Sequence, residues 1–125
     1  MTQEILYKQL SFDLIGLCME VHRILGKGHS EIVYKDALQY ELTKAGVSFS
    51  REKSYEVHYK DIVLPHLFFA DFVVEDKIVL EIKAIERLTD AHAKQTLNCL
   101  AASRLKLGIL VNFGENDLRQ RRVLL

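Results

Sequence analysis

Residues 69–83, FADFVVEDKIVLEIK, decide the fold, because two apolar runs with the composition of β-strands meet here at a polar turn. Side chains i and i+2 of a strand point to one face, so Glu81 and Lys83 lie together. If the turn is an odd loop such as residues 75–77, Asp71 lies directly opposite Glu81. An even loop would shift the register by one residue and turn Asp71 away. In the odd register, two carboxylates and one ammonium group converge, which is the geometry of a metal site.

The spacing of apolar residues predicts the elements around this hairpin. Three helices are expected, from near the start to about residue 25, from about 30 to 45 and from about 89 to 104. Strands are expected at about 54–59, 67–74, 78–85 and 107–113, with Pro65 in the turn before the second strand or at its start. The predicted inward faces comprise Leu10, Leu14, Leu17, Val21 and Ile24, then Tyr34, Ala37, Leu38, Leu42 and Ala45, and finally Ala93, Leu97, Leu100 and Ala101.

The order of helix, helix, three strands, helix and strand indicates an α/β fold, a small mixed sheet flanked by helices. The connection from the third strand through the third helix to the last strand is expected to be a right-handed, parallel crossover. The strand at 78–85 is then central and shelters Glu81 and Lys83. The 125 residues are expected to form one domain, residues 1–125, that ends in a basic tail with Arg119, Arg121 and Arg122.

The composition limits the classes of function. Basic and acidic residues both number 17, so the net charge is zero and no overall basic field announces a nucleic-acid partner. Cys18 and Cys99 lie in apolar helical contexts and are expected to be reduced core residues of a cytoplasmic protein. No apolar run approaches the roughly 20 residues of a membrane span. Segment 1–9 is polar and mixed, so we expect neither a leader nor a membrane contact.

The charged face of the hairpin predicts a site for a hard divalent cation. Sheltered carboxylates repel each other, and Lys83 offsets only one negative charge. Oxygen ligands favour Mg²⁺ or Mn²⁺, held by Asp71, Glu81 and the backbone carbonyl of Ile82. Such an ion would polarise a phosphoryl oxygen and lower the pKa of a bound water, while Lys83 positions that water or stabilises charge on the phosphate. These residue types therefore suit hydrolysis of a phosphodiester.

Asp71 followed by Glu81-x-Lys83 across a hairpin resembles the PD-(D/E)XK nuclease superfamily, whose core order is α-β-β-β-α-β. Gly28-x-x-Glu31-x-x-Tyr34 is similar to the signature of the small bacterial GxxExxY proteins, which are placed in that superfamily. The resemblance covers about residues 14–114. Further matching pieces are Glu20-Val21-His22-Arg23, Gln95 and Asn112-Phe113-Gly114.

The resemblance implies a restriction-endonuclease-like, three-layer fold and a Mg²⁺- or Mn²⁺-dependent nuclease that acts on DNA. It implies that Glu31 contributes to the metal site, although a carboxylate at a helix start also simply complements the helix dipole. Gln95 would help to hold the active site or the substrate backbone. Related branches follow that glutamine four residues later with tyrosine, where this chain has Cys99.

Two further residues belong to the matched segments. Tyr34 lies one turn after Glu31 on the same helix face, and we expect a core aromatic ring whose hydroxyl reaches the site. His22 lies in the matched upstream segment. A lone histidine on a helix is more often structural than a ligand, so we expect a structural role that can include a hydrogen bond near Glu31, with a direct role in the site as the alternative.

Two other interpretations stay open. The neutral net charge favours a catalytically silent module with the nuclease fold that binds nucleic acid or a protein partner. A chain of this size leaves little room for a DNA-reading domain, so specificity would come from a homodimer or another subunit. In the third interpretation, Asp71, Glu81 and Lys83 form only a structural ion pair in an interaction protein. Glu81→Gln would then lower stability and change no activity.

Overall fold

The computed structural model describes residues 5–125. Residues 1–4, the first part of segment 1–9, lie outside the described residues. Three helices and five strands follow along the chain: α1 (Lys8–Leu25), α2 (Glu31–Lys44), β1 (Phe49–Tyr59), β2 (Ile62–Val74), β3 (Ile78–Lys83), α3 (Asp90–Ser103), β4 (Leu107–Asn112) and β5 (Arg119–Leu124). The strands form one sheet in the order β1-β2-β3-β4-β5. Only β3 and β4 pair in parallel, and the other neighbours are antiparallel.

This architecture confirms the predicted fold class, a mixed sheet flanked by helices in a restriction-endonuclease-like arrangement. β3 is the middle strand, as predicted for residues 78–85. β4 is buried along its whole length, as its continuous apolar sequence indicated. The crossover from β3 through α3 returns to the neighbouring parallel strand β4.

The hairpin of β2 and β3 adopts the odd register. Val74 pairs with Ile78 and Phe72 with Leu80, which leaves the three-residue loop 75–77. Glu75 and Asp76 turn the chain in the left-handed region, with φ of 54° and 53°. Continued by one residue, this register brings Asp71 opposite Glu81. The prediction that depended on loop length is therefore confirmed.

Helices cover the sheet on both faces. The larger core cluster joins α1 and α2 to one face of the central strands, with Ile78, Leu80 and Ile82 of β3 among its members. The smaller cluster joins α3 to the other face, where Val79 of β3 lies. Because strand side chains alternate, Glu81 and Lys83 belong to the α3 face. The charged pair of the hairpin is thus placed between the sheet and α3.

β1 and β2 are both longer than predicted. Pro65 lies within β2 rather than in the turn before it or at its start, so that prediction is wrong. The register between the two strands shifts in the segment between Glu56 and His58, which faces the Pro65 region of β2. A proline lacks the N–H that a regular ladder needs, and an irregularity in the ladder accommodates it.

The predicted basic tail is also wrong, because residues 119–124 form β5. This strand pairs with β4 from Asn112↔Arg119 to Leu107↔Leu124. Arg122 donates hydrogen bonds of 2.9 Å to the Leu6 carbonyl and to Ser11 Oγ. A strand buried as completely as β4 needs backbone partners on both edges, and this requirement prevails over the low strand propensity of the arginines.

The inward faces of the helices differ from prediction at several positions. Ile24 is 62% exposed, and Ala45, Leu97 and Ala101 are exposed too. In α1, Leu14 and Val21 are buried and Leu10 and Leu17 pack partly buried against the core, as predicted, while Ser11 and Cys18 complete the buried face. Ala45 is the residue after the end of α2. The buried residues of α3 are Thr96, Cys99 and Leu100, because Thr96 packs where Gly108 of β4 leaves room for it.

The cysteines agree with the expectation from composition. Cys18 and Cys99 are both buried free thiols, as predicted. Among the helices of residues 5–125, none combines the length and apolar character that crossing a membrane requires.

Candidate active site

A cleft of about 240 Å³ opens on the α3 face, beside the point where β2 leaves β3. The two strands pair only over residues 72–74 and 78–80. Beyond this short ladder β2 stays with β1, and β3 stays with β4. The residues that line the cleft are Phe68, Phe69, Asp71, Glu81, Lys83, His92, Gln95, Thr96 and Cys99.

The Asp71 side chain replaces a backbone partner of β3 at the point where the hydrogen-bond ladder between β2 and β3 ends. Its Oδ2 accepts a 2.7 Å hydrogen bond from the backbone N–H of Ile82, and its side chain is 11% exposed. A carboxylate that caps a backbone N–H in this way lets β2 and β3 separate without leaving a buried donor unsatisfied. The same interaction fixes the carboxylate against the strand that carries Glu81.

Glu81 lies in the cleft beside Asp71 and holds its proton more tightly than an ordinary glutamate. Burial, the negative charge of Asp71 and a hydrogen bond with Asp71 raise the pKa of the Glu81 carboxyl well above its usual value of 4.5, and Lys83 only partly opposes this. Two carboxyl groups in one sheltered place cannot both ionise freely. The pair thus has a deficit of positive charge, which a bound cation would supply.

We expect Glu81→Gln to raise the free energy of unfolding, and to raise it more as the pH increases. The folded protein keeps a proton that the unfolded chain releases near pH 4.5. The stability due to this proton is complete below that pH and is lost as the pH rises toward the folded-state pKa. Glutamine imitates the protonated carboxyl, so the gain should reach on the order of 2 kcal/mol at about pH 8 and nearly vanish at about pH 4.5.

Urea unfolding with EDTA present, on both proteins across this pH range, measures the gain. Glu86→Gln is the matched control, since Glu86 is exposed just beyond β3. Equal pH profiles for wild type and Glu81→Gln would contradict the prediction. A loss of stability in Glu81→Gln at every pH would instead support the structural ion-pair interpretation.

Lys83 keeps its charge available in the cleft. Within the described part of the chain, no carboxylate oxygen lies within the 4.0 Å of an ion pair from Lys83 Nζ. Its backbone is fixed, because the Lys83 carbonyl accepts a 2.8 Å hydrogen bond from the N–H of Phe113. A held lysine whose charge is not used within the protein suits recognition of an anionic substrate.

Asn112 and Gly114 fix the chain just after Lys83. Asn112 is fully buried, and its side-chain amide bonds the N–H of Ile85 at 3.0 Å and the Ile85 carbonyl at 2.9 Å. A Cβ on Gly114 would lie 2.2 Å from the Ile85 carbonyl oxygen, so only glycine fits. The segment Asn112-Phe113-Gly114 therefore clamps the end of β3, which is a structural role that supports Lys83.

Lys35 is the principal residue of the site that sequence reasoning missed. It comes from α2, on the other face of the sheet, and its side chain is only 11% exposed. Its Nζ lies 2.8 Å from Asp71 Oδ1, 2.9 Å from Glu52 Oε1 and 3.3 Å from Glu31 Oε1. Burial by itself would lower the pKa of Lys35, but the hydrogen bonds to Asp71 and Glu52 outweigh it and raise that pKa.

Glu31 is the first residue of α2, and its carboxylate shares Lys35 with Asp71. The structure thus brings Glu31 to the edge of the Asp71 cluster without placing it among the residues that line the cleft. Its position in the first turn after Ser30 also suits the helix dipole, which is the other role weighed from the sequence.

α3 supplies Gln95, His92 and Cys99 to the cleft. Sequence reasoning missed His92 as a candidate for the site. Its position three residues after the helix cap Thr89, where it completes a capping box, is the feature of the sequence that places it at the start of α3. Its Nδ1 accepts a 3.0 Å hydrogen bond from the Thr89 N–H. Burial first, then the charges of Glu81 and Asp71, raise the pKa of the Cys99 thiol to about 12, so the thiol stays protonated and is no nucleophile.

Tyr34 and His22 contact the loop and strand ends around the site rather than the cleft. Tyr34 is fully buried, as predicted, but its hydroxyl donates a 2.6 Å hydrogen bond to the Gly26 carbonyl instead of reaching the cleft. Its ring stacks on Phe113 at 4.7 Å between centroids. His22 Nε2 bonds the Glu115 carbonyl at 3.0 Å, which is a structural contact at the end of β4 rather than a hydrogen bond near Glu31. Both residues stabilise the positions of α1, α2 and the end of β4.

The donor chemistry fits a hard divalent cation, since the cluster offers carboxylate oxygens that are short of positive charge. Asp71 and Glu81 are adjacent, and the Ile82 backbone lies against Asp71. In residues 5–125, however, no three His, Cys, Asp or Glu side chains are already gathered around one point as a metal requires. The third carboxylate, Glu31, pairs with Lys35 and does not line the cleft.

Comparison with known proteins agrees with this geometry. Residues 8–123 match the family model of the PD-(D/E)XK nuclease superfamily, whose members generally use divalent metals. Neither the curated proteins nor the solved structures include a significant match. The matched region spans all three helices and all five strands and contains Asp71, Glu81 and Lys83. The chain therefore belongs to the PD-(D/E)XK nuclease superfamily.

Proposed function

We propose that this protein is a nuclease that hydrolyses phosphodiester bonds in DNA with Mg²⁺ or Mn²⁺. One observation carries the proposal: Asp71, Glu81 and Lys83 line a single cleft at the point where β2 and β3 separate. Two carboxylates and a lysine without an ion-pair partner suit a cation and a phosphate side by side. The membership in a nuclease superfamily points to the same chemistry.

In this proposal Asp71, Glu81 and the carbonyl of Ile82 hold the cation, and Glu31 completes the set. The bound ion would polarise a phosphoryl oxygen and lower the pKa of the attacking water. Lys83 positions that water or stabilises the charge that develops on the phosphate. Asn112 contributes by holding the backbone at Ile85, just beyond Lys83, which fixes the point from which the lysine side chain extends.

α3 supplies the contacts with the substrate in this proposal. Gln95 holds the substrate backbone, and His92 adds an N–H donor for a phosphate oxygen, since its Nδ1 is already an acceptor and the neutral ring then carries its proton on Nε2. Cys99 replaces the tyrosine of related branches and closes the cleft with an uncharged thiol. No stacking or phosphate contact is assigned to it.

The first test incubates the protein with Mg²⁺ or Mn²⁺ and linear, nicked, single-stranded and branched DNA. We expect cleavage that EDTA abolishes and that falls at least about 100-fold in Lys83→Ala, because an electrostatic contact in the transition state is lost. Lys77→Ala is the matched control: Lys77 is exposed in the loop of the same hairpin. Cleavage that persists in Lys83→Ala would reveal a contaminant or overturn the role of Lys83.

A second candidate is a catalytically silent module of the same fold that binds nucleic acid or a protein partner. The observation in its favour is the ion pair of Lys35 with Asp71, at 2.8 Å, which gives this carboxylate a counter-charge from within the chain. It predicts salt-sensitive DNA binding that survives Lys83→Ala and no cleavage by either protein. The same panel of DNAs, read by both binding and cleavage, separates the two candidates.

We also propose a subfamily, a cellular location and a partner for this protein. We place the chain among the GxxExxY proteins of bacteria, because Gly28, Glu31 and Tyr34 have the spacing of that signature and the Tyr34 hydroxyl bonds Gly26 and His29 on either side of Gly28. Two buried free thiols suit a reducing compartment, so we assign a cytoplasmic location. With zero net charge, DNA specificity would come from a homodimer or a protein partner.

A further inference from the structure

Lys35 and Glu52 form an ion pair beside the cleft, and the proposed chemistry uses neither residue. Lys35 Nζ bonds three carboxylates, and its shortest contact is with Asp71 Oδ1. Asp71 Oδ2 is already occupied by the Ile82 N–H. Lys35 therefore contacts the Asp71 oxygen that carries no backbone N–H, and a cation that binds this oxygen competes with Lys35.

Glu52 is held toward Lys35 by an unusual backbone. It lies within β1 but has a φ of 53°, in the left-handed region that residues with a Cβ rarely adopt in strands. Its neighbours Arg51 and Lys53 pair with Phe72 and Ala70, so Glu52 stands across from Asp71. Strained backbone of this kind persists where the surroundings enforce it, often beside functional sites.

We propose that Lys35 is a positioning residue that occupies Asp71 Oδ1 until a divalent cation binds, and that Glu52 then retains the displaced ammonium group. This inference rests on the proposed function, because it requires that the cleft takes a cation. Two cations on one carboxylate oxygen repel each other, so Lys35 must leave Asp71 when the metal arrives. Glu52, at 2.9 Å, is already in place to keep the buried ammonium paired.

The charges of the cluster agree with such an exchange. Once Glu81 gives up its proton to act as a ligand, the four carboxylates of Glu31, Glu52, Asp71 and Glu81 face the two ammonium groups of Lys35 and Lys83 in the described part of the chain, a deficit of two positive charges that one divalent cation balances. Release of Asp71 would also loosen the 3.3 Å contact between Lys35 and Glu31. The carboxylate of Glu31 would then be free to join the ligands.

Mn²⁺ affinity, measured by electron paramagnetic resonance or calorimetry, tests the exchange without reference to cleavage. Glu52→Gln removes the alternative partner of Lys35 and should weaken Mn²⁺ binding about tenfold, whereas Lys35→Met removes the competitor and should tighten it about tenfold. Glu56→Gln on the same strand and Lys44→Met on the same helix are the controls, since both residues are exposed.

The double variant Lys35→Met, Glu52→Gln distinguishes an exchange of Lys35 between carboxylates from a direct electrostatic effect of Glu52 on the bound cation. If Glu52 acts only through Lys35, then Glu52→Gln changes Mn²⁺ affinity less than about twofold in the Lys35→Met background. Additive changes in the double variant, or single variants that bind Mn²⁺ like wild type, overturn the inference and leave the nuclease proposal standing. If Lys35→Met fails to fold, unaltered Mn²⁺ binding by Glu52→Gln overturns the inference by itself. Absence of Mn²⁺ binding in wild type and in every variant overturns both.

Discussion

Gly114→Ala is expected to lower the free energy of unfolding by at least about 3 kcal/mol. The added Cβ would lie 2.2 Å from the oxygen, 2.4 Å from the nitrogen and 2.7 Å from the carbonyl carbon of Ile85, all of them backbone atoms. Ile85 cannot move aside, because the Asn112 side chain bonds both its N–H and its carbonyl. Urea unfolding monitored by circular dichroism measures the loss.

Gly16→Ala provides the opposite control. Gly16 lies in α1, and no atom lies within 4 Å of the Cβ that alanine would add. This substitution should stabilise the protein by about 0.5–1 kcal/mol, since alanine in a helix loses less backbone entropy on folding. An unfolding midpoint for Gly114→Ala equal to that of wild type would show that the contact of Gly114 with the Ile85 backbone, just beyond β4 and β3, is not rigid.

Asp71→Ala is expected to lower the free energy of unfolding by about 3–4 kcal/mol, even without metal. It removes the closest ion-pair partner of the buried Lys35 and the acceptor of the Ile82 N–H. Asp71→Asn keeps an acceptor oxygen and loses only the charge, so its loss should be smaller. Unfolding in EDTA compares the two variants with wild type.

Asp61→Ala is the control for these variants, because Asp61 is exposed in the turn between β1 and β2 and should cost less than about 0.5 kcal/mol. Equal losses in Asp71→Ala and Asp71→Asn would assign the whole effect to the ion pair with Lys35. An unchanged stability in Asp71→Ala would contradict the burial of Lys35 and the role of Asp71 at the end of the ladder.

The hairpin of β2 and β3 could be predicted from sequence because its signals are local. Alternating apolar residues define each strand, and the polar segment 75–77 defines the turn. Once the loop length is fixed, the register places Asp71 opposite Glu81 without further information. The core order of helices and strands followed from the same periodicities.

β5, Lys35 and Glu52 could not be predicted because each depends on distant parts of the chain. An arginine-rich segment becomes a strand only when a buried neighbour needs a partner. A lysine on a helix is solvent-exposed by default, and Lys35 is buried only because β1 and β2 bring carboxylates to it. The left-handed conformation of Glu52 has no signal in the sequence at all.

The bond between the Ile82 N–H and Asp71 also gives the protein a built-in spectroscopic probe. Elsewhere in a sheet, an amide proton faces a neutral carbonyl, but this one faces a charged oxygen that belongs to the cleft. Any change in the charge or position of that carboxylate alters the magnetic environment of one identifiable proton. The resonance of a single isotope-labelled isoleucine can thus follow events in the cleft in the intact protein, with no attached label and no substrate.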